Sequence, residues 1–263
     1  MLGKLLKYDF KWVYKVVGIF YVLALIFSVI GRGLGQIENS AVFSVLSKIF
    51  NGIAISMVVS SLINCLMRLW ARIVVNMYKD ESYLTHTLPV SKKTIYDSKV
   101  ITAIITIFTT TIIGLICVFI CYYSQSNIEF LKSALELAAS TYDTTVVNLV
   151  LLISLVIFLE IMAIVFVGYL GIILGHKSNK SKMLKSIVFG FSIYMITQVF
   201  NLVALFIYGL FNPEIMNLIN TTTSIDINSI KSIMYFVIVV YSIYSVVLYA
   251  VGKKQLEKGV NVE

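Results

Sequence analysis

The sequence predicts an all-α, polytopic membrane protein with six transmembrane helices, and three observations carry this prediction. Apolar side chains make up 59% of the 263 residues, and charged side chains make up only 13%. A single soluble core cannot bury so much apolar surface. The apolar residues also form continuous runs without strand-like alternation, and only a helix satisfies every backbone polar group within one such run.

Six of these runs are long enough to cross a hydrocarbon layer of about 30 Å. They lie at about 16–34, 49–67, 100–122, 146–171, 187–211 and 232–251. We expect them to form one transmembrane domain that covers residues 1–263. The segments between the runs are too short for a nucleotide-binding or catalytic domain.

A short amphipathic helix is predicted over residues 1–15, before the first run. Its apolar side carries Leu2, Leu5 and Leu6, and its opposite side carries the lysines at positions 4, 7, 11 and 15. A helix of this pattern lies flat on the membrane interface. Asp9 falls on the apolar side. We interpret it as a bend or a solvated gap, with a contact to a partner protein as the alternative.

The 21 Lys and Arg residues are unevenly distributed among the segments that flank the runs. Seventeen lie in the N-terminus, in residues 68–99, in residues 176–186 and in the C-terminal tail, and four lie in the alternate segments. Because basic segments stay cytoplasmic, both termini are predicted to be inside. The net charge of +8 follows mainly from this topology, so we expect no nucleic-acid partner.

Residues 80–90 form a short amphipathic segment, DESYLTHTLPV, between the second and third runs. Asp80 can cap a helix here, and Pro89 disfavours helical geometry at Leu88, so the helix is limited to about two turns. One face combines Tyr83, Leu84, Thr87 and Leu88. Many interfacial segments bind only lipid, but the charged flanks argue against that here. We interpret this helix as one that docks on a partner protein and is moved by it.

The candidate docking interface covers most of this segment. It comprises Asp80, Glu81, Tyr83, Leu84, Thr85, His86, Thr87, Leu88 and Pro89. Burial of Tyr83, Leu84 and Leu88 would contribute about 5–8 kcal/mol, and association costs of about 4–15 kcal/mol would offset most of it. We therefore expect two such segments to act together, with further contacts from the basic N-terminal helix.

Glu160 lies near the middle of the fourth run, where a charged carboxylate costs roughly 3 kcal/mol, so it should face protein or water. It forms either a structural hydrogen bond to a neighbouring helix or a contact with a substrate or proton. The same side of this helix continues with small residues, which favour close helix packing. These are Ala163, Val167, Gly171 and Gly175.

Polar residues recur at helical spacing in three other runs. The second run has Ser56, Ser60 and Asn64, the fifth has Tyr194, Gln198, Asn201 and Tyr208, and the third has Thr102, Thr106 and Thr109. Such residues either line a path or form interhelical hydrogen bonds of about 0.6–2 kcal/mol each. We favour hydrogen bonding for the threonines, which readily bond to their own helix backbone. For Asn64, Gln198 and Asn201 both interpretations stay open.

Sequence patterns for chemistry within the chain are weak. No glycine loop of the G-x-x-x-x-G-K-[ST] type is present, so ATP hydrolysis would need another chain. Neither His86 nor His176 stands in a metal-binding pattern, and the three cysteines lie within or at the edges of the apolar runs. We therefore expect no catalytic residue, metal or cofactor in this chain.

Residues 83–92, YLTHTLPVSK, together with the six-run layout, resemble the compact permease subunits of bacterial ATP-binding-cassette exporters of the second permease type. The resemblance implies that residues 80–90 are a coupling helix that docks on a separate ATPase subunit. It also implies that spans two and five border the translocation route, which places Ser60, Asn64, Gln198 and Asn201 there. The short 212–230 segment departs from members with re-entrant helices near the outer face.

The resemblance implies a permease half in a bacterial plasma membrane, paired with a second copy or a paralogue. Each half would contact an ATPase that binds ATP and Mg²⁺. The pair would export an amphipathic peptide, toxin or antibiotic-like substrate by alternating access, a role linked to antibiotic resistance. The candidate path comprises Ser60, Asn64, Glu160, Tyr194, Gln198 and Asn201.

Two other classes of function compete with export. One is a non-transporting membrane immunity or sensor-associated protein that binds a peptide or a kinase. The other is an intramembrane hydrolase that uses Glu160 and a histidine, which is disfavoured because both histidines are predicted outside the hydrocarbon core.

Overall fold

The computed structural model describes residues 1–37, 40–141, 144–212 and 227–259, and every regular element within them is an α-helix. The helices are α1 (Leu2–Gly35), α2 (Ala41–Met77), α3 (Ser82–Thr87), α4 (Lys92–Tyr122), α5 (Gln125–Thr141), α6 (Val146–Gly175), α7 (Lys182–Phe211) and α8 (Ile227–Glu257). Within these ranges, six are long and apolar enough to cross a membrane: α1, α2, α4, α6, α7 and, in α8, Ser232–Glu257. The predicted all-α architecture with six membrane-length helices is confirmed. Most of the 212–230 segment lies outside the described residues.

The chain divides into two compact units, Met1–Glu129 and Phe130–Glu263, and α5 begins in the first and continues into the second. In the first unit, α1, α2 and α4 pack against one another, and α3 packs on α2. In the second unit, α6 packs against both α7 and α8. Each unit therefore has its own bundle of three long helices.

The first unit is held together partly by hydroxyl groups between α1 and α4. The Tyr14 hydroxyl lies 2.7 Å from the Thr109 hydroxyl, and the Tyr21 hydroxyl lies 2.6 Å from that of Thr110. Thr106 donates to the carbonyl oxygen of Thr102 on its own helix. The interpretation of the threonine stripe as a source of hydrogen bonds is confirmed at Thr106 and Thr109 but not at Thr102, whose buried hydroxyl has no hydrogen-bond partner among the described residues.

The N-terminal helix differs from the prediction in two ways. First, α1 runs without interruption from Leu2 to Gly35, so no separate helix ends near residue 15. At 1.5 Å per residue it is roughly 51 Å long, which exceeds a hydrocarbon layer of about 30 Å. Second, Asp9 is only 1% exposed and binds side chains of α2 and α4. The interpretation of Asp9 as a bend or a solvated gap is therefore wrong. Its partners lie far away in the sequence, so the residues next to Asp9 did not indicate them.

Close packing in the second unit follows the small residues of α6. A Cβ atom added at Gly171 would lie 2.7 Å from the Cα atom of Gly190, and one added at Gly175 would overlap Ser186. Only glycine allows the backbones of α6 and α7 to approach so closely. The predicted close-packing face at Gly171 and Gly175 is therefore confirmed.

Candidate functional site

The α3 helix begins and ends for different reasons. Leu88 is extended (φ −66°, ψ 138°), as Pro89 requires of the residue before it, so the predicted end is confirmed. The predicted start is wrong, because Glu81 rather than Asp80 precedes the first helical residue, and no side chain caps the helix. The Glu81 carboxylate instead pairs with the Arg72 guanidinium on α2. Arg72 Nη1 lies 2.7 Å from Glu81 Oε2, so the contact is a charge-assisted hydrogen bond.

One side of α3 packs on the first unit and the other side is open. Ser82 and Thr85 are buried, whereas Tyr83, Leu84 and Leu88 are 78%, 68% and 45% exposed. Thr87 is exposed beside them. We call Tyr83, Leu84, Thr87 and Leu88 the α3 face. The four residues that the sequence places on one face are thus all exposed. Tyr83, Leu84 and Thr87 lie on a helix of only six residues, and Leu88 follows its last residue.

A cluster of four charged side chains lies beneath α3. This ion cluster consists of Asp9, Arg72, Glu81 and Lys99. Asp9 Oδ1 accepts from Arg72 Nε at 2.7 Å and from Lys99 Nζ at 2.6 Å, and Arg72 Nη1 donates to Glu81 Oε2 at 2.7 Å. The hydroxyl of Ser98 donates to the other oxygen of Asp9 at 2.7 Å. Two acids and two bases give the cluster a formal charge of zero.

Burial makes the ion cluster a strong constraint on the helices. The side chains of Asp9, Arg72 and Lys99 are at most 7% exposed. Removing such ions from water costs several kcal/mol each, and this cost is offset only when the ions pair well. The cluster therefore holds α1, α2 and α4 in one arrangement and ties Glu81, at the start of α3, to them.

Further contacts attach α3 to the end of α2. Asn76 Nδ2 donates to Thr85 Oγ1 at 2.8 Å and to Glu81 Oε2 at 3.2 Å. His86 Nε2 forms a hydrogen bond with the Met77 carbonyl oxygen at 3.1 Å. Thr85 and His86 belong to the candidate docking interface, but their polar groups face α2 and anchor the helix.

Two aromatic residues border this end of the first unit. The Arg68 guanidinium lies 3.6 Å from the centroid of the Trp12 ring, and that of Arg72 lies 5.4 Å from it. Tyr78, between α2 and α3, is 2% exposed, and its burial raises the pKa of its phenol above the usual range. The stacking of the Arg68 and Arg72 guanidinium groups on Trp12 adds to the rigidity of the cluster surroundings.

The sequence analysis missed the ion cluster because its members are far apart along the chain. Asp9 lies 63 positions from Arg72 and 90 positions from Lys99. One signal was available: a lone acid on the apolar side of the first helix needs a basic partner when buried.

A second candidate site is a small cleft between α6, α7 and α8 in the second unit. Its lining residues are Glu160, Ala163, Ile164, Val167, Tyr194, Thr197, Gln198, Asn201, Tyr241 and Tyr244. The structure thus brings together four of the six predicted path residues, namely Glu160, Tyr194, Gln198 and Asn201. The sequence analysis missed Tyr241 and Tyr244. They lie three residues apart in the sixth run, and this spacing places two polar side chains on one face of the helix.

The other two predicted path residues lie on α2 in the first unit. Both Ser60 and Asn64 are half-buried, and Asn64 Nδ2 donates to the Ser60 carbonyl oxygen at 2.8 Å. One of the two amide hydrogens of Asn64 is therefore satisfied within its own helix.

The Glu160 cleft is narrow. Its volume is about 50 Å³, which is enough for a few water molecules and far below the roughly 300–1,000 Å³ of a drug-sized ligand pocket. His176 follows Glu160 by 16 residues, or roughly 24 Å along α6, and its Nδ1 lies 2.9 Å from the Ile172 carbonyl oxygen. His176 is thus too far away to act on a molecule bound beside Glu160.

No protein-family model, curated protein or solved structure matches this chain. Within the residues that the structure describes, no three His, Cys, Asp or Glu side chains are arranged to hold a metal ion. The function is therefore inferred from the α3 face, the ion cluster and the Glu160 cleft.

Proposed function

We propose that this chain is the membrane-spanning subunit of an ATP-driven exporter and that the α3 face binds a separate ATPase subunit. The observation that carries the proposal is an exposed, largely apolar face on a helix that the ion cluster ties to three long helices. A six-residue helix is unstable alone, so its contacts with the first unit maintain it. An apolar surface held open in this way suits a partner protein.

Transmission of motion follows from the same contacts. A partner that displaces α3 pulls on Glu81, which is bonded to Arg72, and Arg72 shares Asp9 with Lys99. The displacement would thereby reach α1, α2 and α4 together. Without these bonds, the short segments on either side of α3 would absorb it. ATP-driven movement of the partner would in this way change the access of the membrane helices.

The affinity of one α3 face is modest. The exposed fractions of Tyr83, Leu84 and Leu88 add up to roughly two complete side chains, so their burial contributes about 3–6 kcal/mol. Association costs about 4–15 kcal/mol. Two faces acting on two ATPases would raise the combined affinity. This arithmetic supports a permease dimer, formed with a second copy or a paralogue.

The remaining parts of the proposal follow the distribution of charge. Lysine-rich ends of the chain face the cytoplasm of a bacterial cell, both termini are inside, and the partner ATPase carries ATP and Mg²⁺. The exported substrate is an amphipathic peptide, toxin or antibiotic-like molecule.

The test compares the double variant Leu84→Asp/Leu88→Asp with Leu137→Asp. Leu137 lies on α5 and is 69% exposed, close to the 68% of Leu84, so it controls for a new surface charge. Tagged proteins are purified from membranes of the native host, and Mg²⁺-dependent ATP hydrolysis of the purified material is measured. We expect the activity to co-purify with the wild type and with Leu137→Asp, and to fall at least tenfold with the double variant.

Equal ATPase activity in the wild type and the double variant would refute the docking role of α3. A wild-type preparation that contains no ATPase but retains a peptide or a kinase would favour the non-transporting immunity or sensor-associated class.

A further inference from the structure

We propose that the Glu160 cleft binds the ammonium group of an amphipathic cation. The inference rests on the proposed function only in that it treats this ligand as the exported substrate. It narrows the substrate class from any amphipathic molecule to one that carries a basic nitrogen next to an apolar portion.

The cleft lies halfway along all three helices that form it. Glu160 is the fifteenth of the 30 residues of α6, and Tyr241 is the fifteenth of the 31 residues of α8. Gln198 is the seventeenth of the 30 residues of α7. With a rise of 1.5 Å per residue, each lies roughly 20 Å from either end of its helix, near the middle of a membrane. A carboxylate at that depth is costly unless a positive charge or protein dipoles compensate it.

Among the described residues of α6, α7 and α8, no basic side chain lines the cleft. The lysines of the second unit that lie on these helices are near their ends, as with Lys182 on α7 and Lys253 on α8. Lys253 follows Tyr241 by 12 residues, or roughly 18 Å. Asp9 in the first unit shows the contrast, because Arg72 and Lys99 neutralise it. None of the residues that line the cleft supplies a positive charge to Glu160, and a bound cation would supply it.

The lining residues suit an ammonium group. Gln198, Asn201 and the tyrosine hydroxyls offer oxygen acceptors, and a primary ammonium group has three N–H donors. Tyr194, Tyr241 and Tyr244 also bring aromatic rings, whose faces attract cations. An anion would be repelled by Glu160, and an uncharged apolar group would leave the polar lining without partners.

The size of the cleft decides which part of the ligand it holds. A volume of about 50 Å³ accepts a small head group and excludes a long chain. The apolar remainder of the ligand therefore lies outside the cleft, where the exposed side chains of Phe191, Met195 and Leu202 make the surface of α7 apolar. An amphipathic cation satisfies both conditions, since its head is compact and its tail is compatible with lipid.

The experiment uses the full chain in nanodiscs of phosphatidylcholine, without any ATPase. Octylammonium and 1-octanol, which share one chain length, are titrated by calorimetry, and the heat from empty nanodiscs is subtracted. We expect saturable binding of octylammonium to the wild type and only partitioning of 1-octanol. We expect Glu160→Gln to weaken octylammonium binding at least tenfold, because the charged acceptor is lost.

Two further variants complete the design. Glu136→Gln removes an exposed carboxylate on α5 and should bind like the wild type. Gln198→Leu keeps Glu160 and replaces one lining amide by a side chain of similar size, and we expect about threefold weaker binding. Thermal unfolding of every variant is measured in the same nanodiscs, so that Gln198→Leu still provides a test if Glu160→Gln does not fold.

Three results would overturn the inference: wild-type affinity in both Glu160→Gln and Gln198→Leu, equal saturable binding of 1-octanol, or no saturable binding of octylammonium to the wild type. The last result would mean that a proton or a structural contact satisfies Glu160. Because no ATPase is present, each of these results leaves the docking role of α3 untouched. Conversely, loss of ATPase co-purification in the test of α3 says nothing about the cleft.

Discussion

Replacing Asp9 by Asn is expected to lower the free energy of unfolding of the first unit by about 3–5 kcal/mol. Asp9 accepts hydrogen bonds from Arg72, Lys99 and Ser98 at 2.6–2.7 Å, and its side chain is 2% exposed. Asn keeps the shape but removes the charge and one acceptor. The formal charge of the ion cluster then rises from zero to +1 in a buried site, and Lys99 loses its carboxylate partner in the cluster.

A second substitution separates charge balance from shape. Lys99→Met in the Asp9→Asn background restores a formal charge of zero, carried by Arg72 and Glu81. The double variant should therefore be more stable than the sum of the two single losses predicts, by at least about 1.5 kcal/mol, a coupling typical of residues in contact. The matched control is Glu129→Gln on α5, an exposed carboxylate that accepts a hydrogen bond from Gln125, with an expected loss of about 0.5 kcal/mol or less.

The assay is unfolding by sodium dodecyl sulfate in mixed micelles, followed by tryptophan fluorescence. Both tryptophans of the chain, Trp12 and Trp70, lie in the first unit, and Trp12 stacks on Arg68 beside the ion cluster. The signal therefore reports the region that changes. A loss below about 1 kcal/mol for Asp9→Asn, or strictly additive losses in the double variant, would refute the view that the cluster is a coupled, buried charge network.

Two further predictions concern helix packing and the start of α3. Gly171→Ala should lower the stability of the second unit by about 1–3 kcal/mol in thermal unfolding followed by circular dichroism, because the added methyl group meets the backbone of Gly190. Gly190→Ala adds a methyl group that meets nothing within 4 Å, so it should not destabilise the second unit. Equal losses of stability in Gly171→Ala and Gly190→Ala would contradict the packing argument. Glu81→Gln breaks the ion pair with Arg72. Because the Glu81 side chain is 39% exposed, the free energy of unfolding should fall by about 1 kcal/mol or less. Co-purified ATPase activity should nevertheless fall several-fold. Glu129→Gln on α5 should leave that activity unchanged, and an equal reduction by both variants would argue against a specific role for Glu81.

Residues 80–90 show which features of the candidate docking site could be predicted from the sequence. The composition of the α3 face and the end of the helix at Leu88 follow from helical spacing and from Pro89, which act within a few residues. The start of the helix and the anchoring role of Thr85 depend on Arg72 and Asn76 on another helix. Rules for neighbouring residues therefore predicted Asp80 as the N-cap. In the structure, Glu81 precedes the helix and pairs with Arg72 on α2.

The Glu160 cleft shows a similar division. Helical spacing was enough to select Glu160 on α6 and Tyr194, Gln198 and Asn201 on α7 as polar groups within apolar runs. Only the packing of α6 on α7 and α8 brought them together with Tyr241 and left Asn64 in the other unit.

The sequence by itself determined the class of protein and the six membrane-length helices. Hydrophobic burial and backbone hydrogen bonding are summed over neighbouring residues, so they can be read from any stretch of about 20 residues. Only the tertiary structure decided that Asp9 is a buried member of an ion cluster, whereas none of the described residues that line the cleft beside Glu160 is basic. The physical reason is that charge pairing depends on distance in space, and partners 63 and 90 positions apart leave no periodic pattern along the chain.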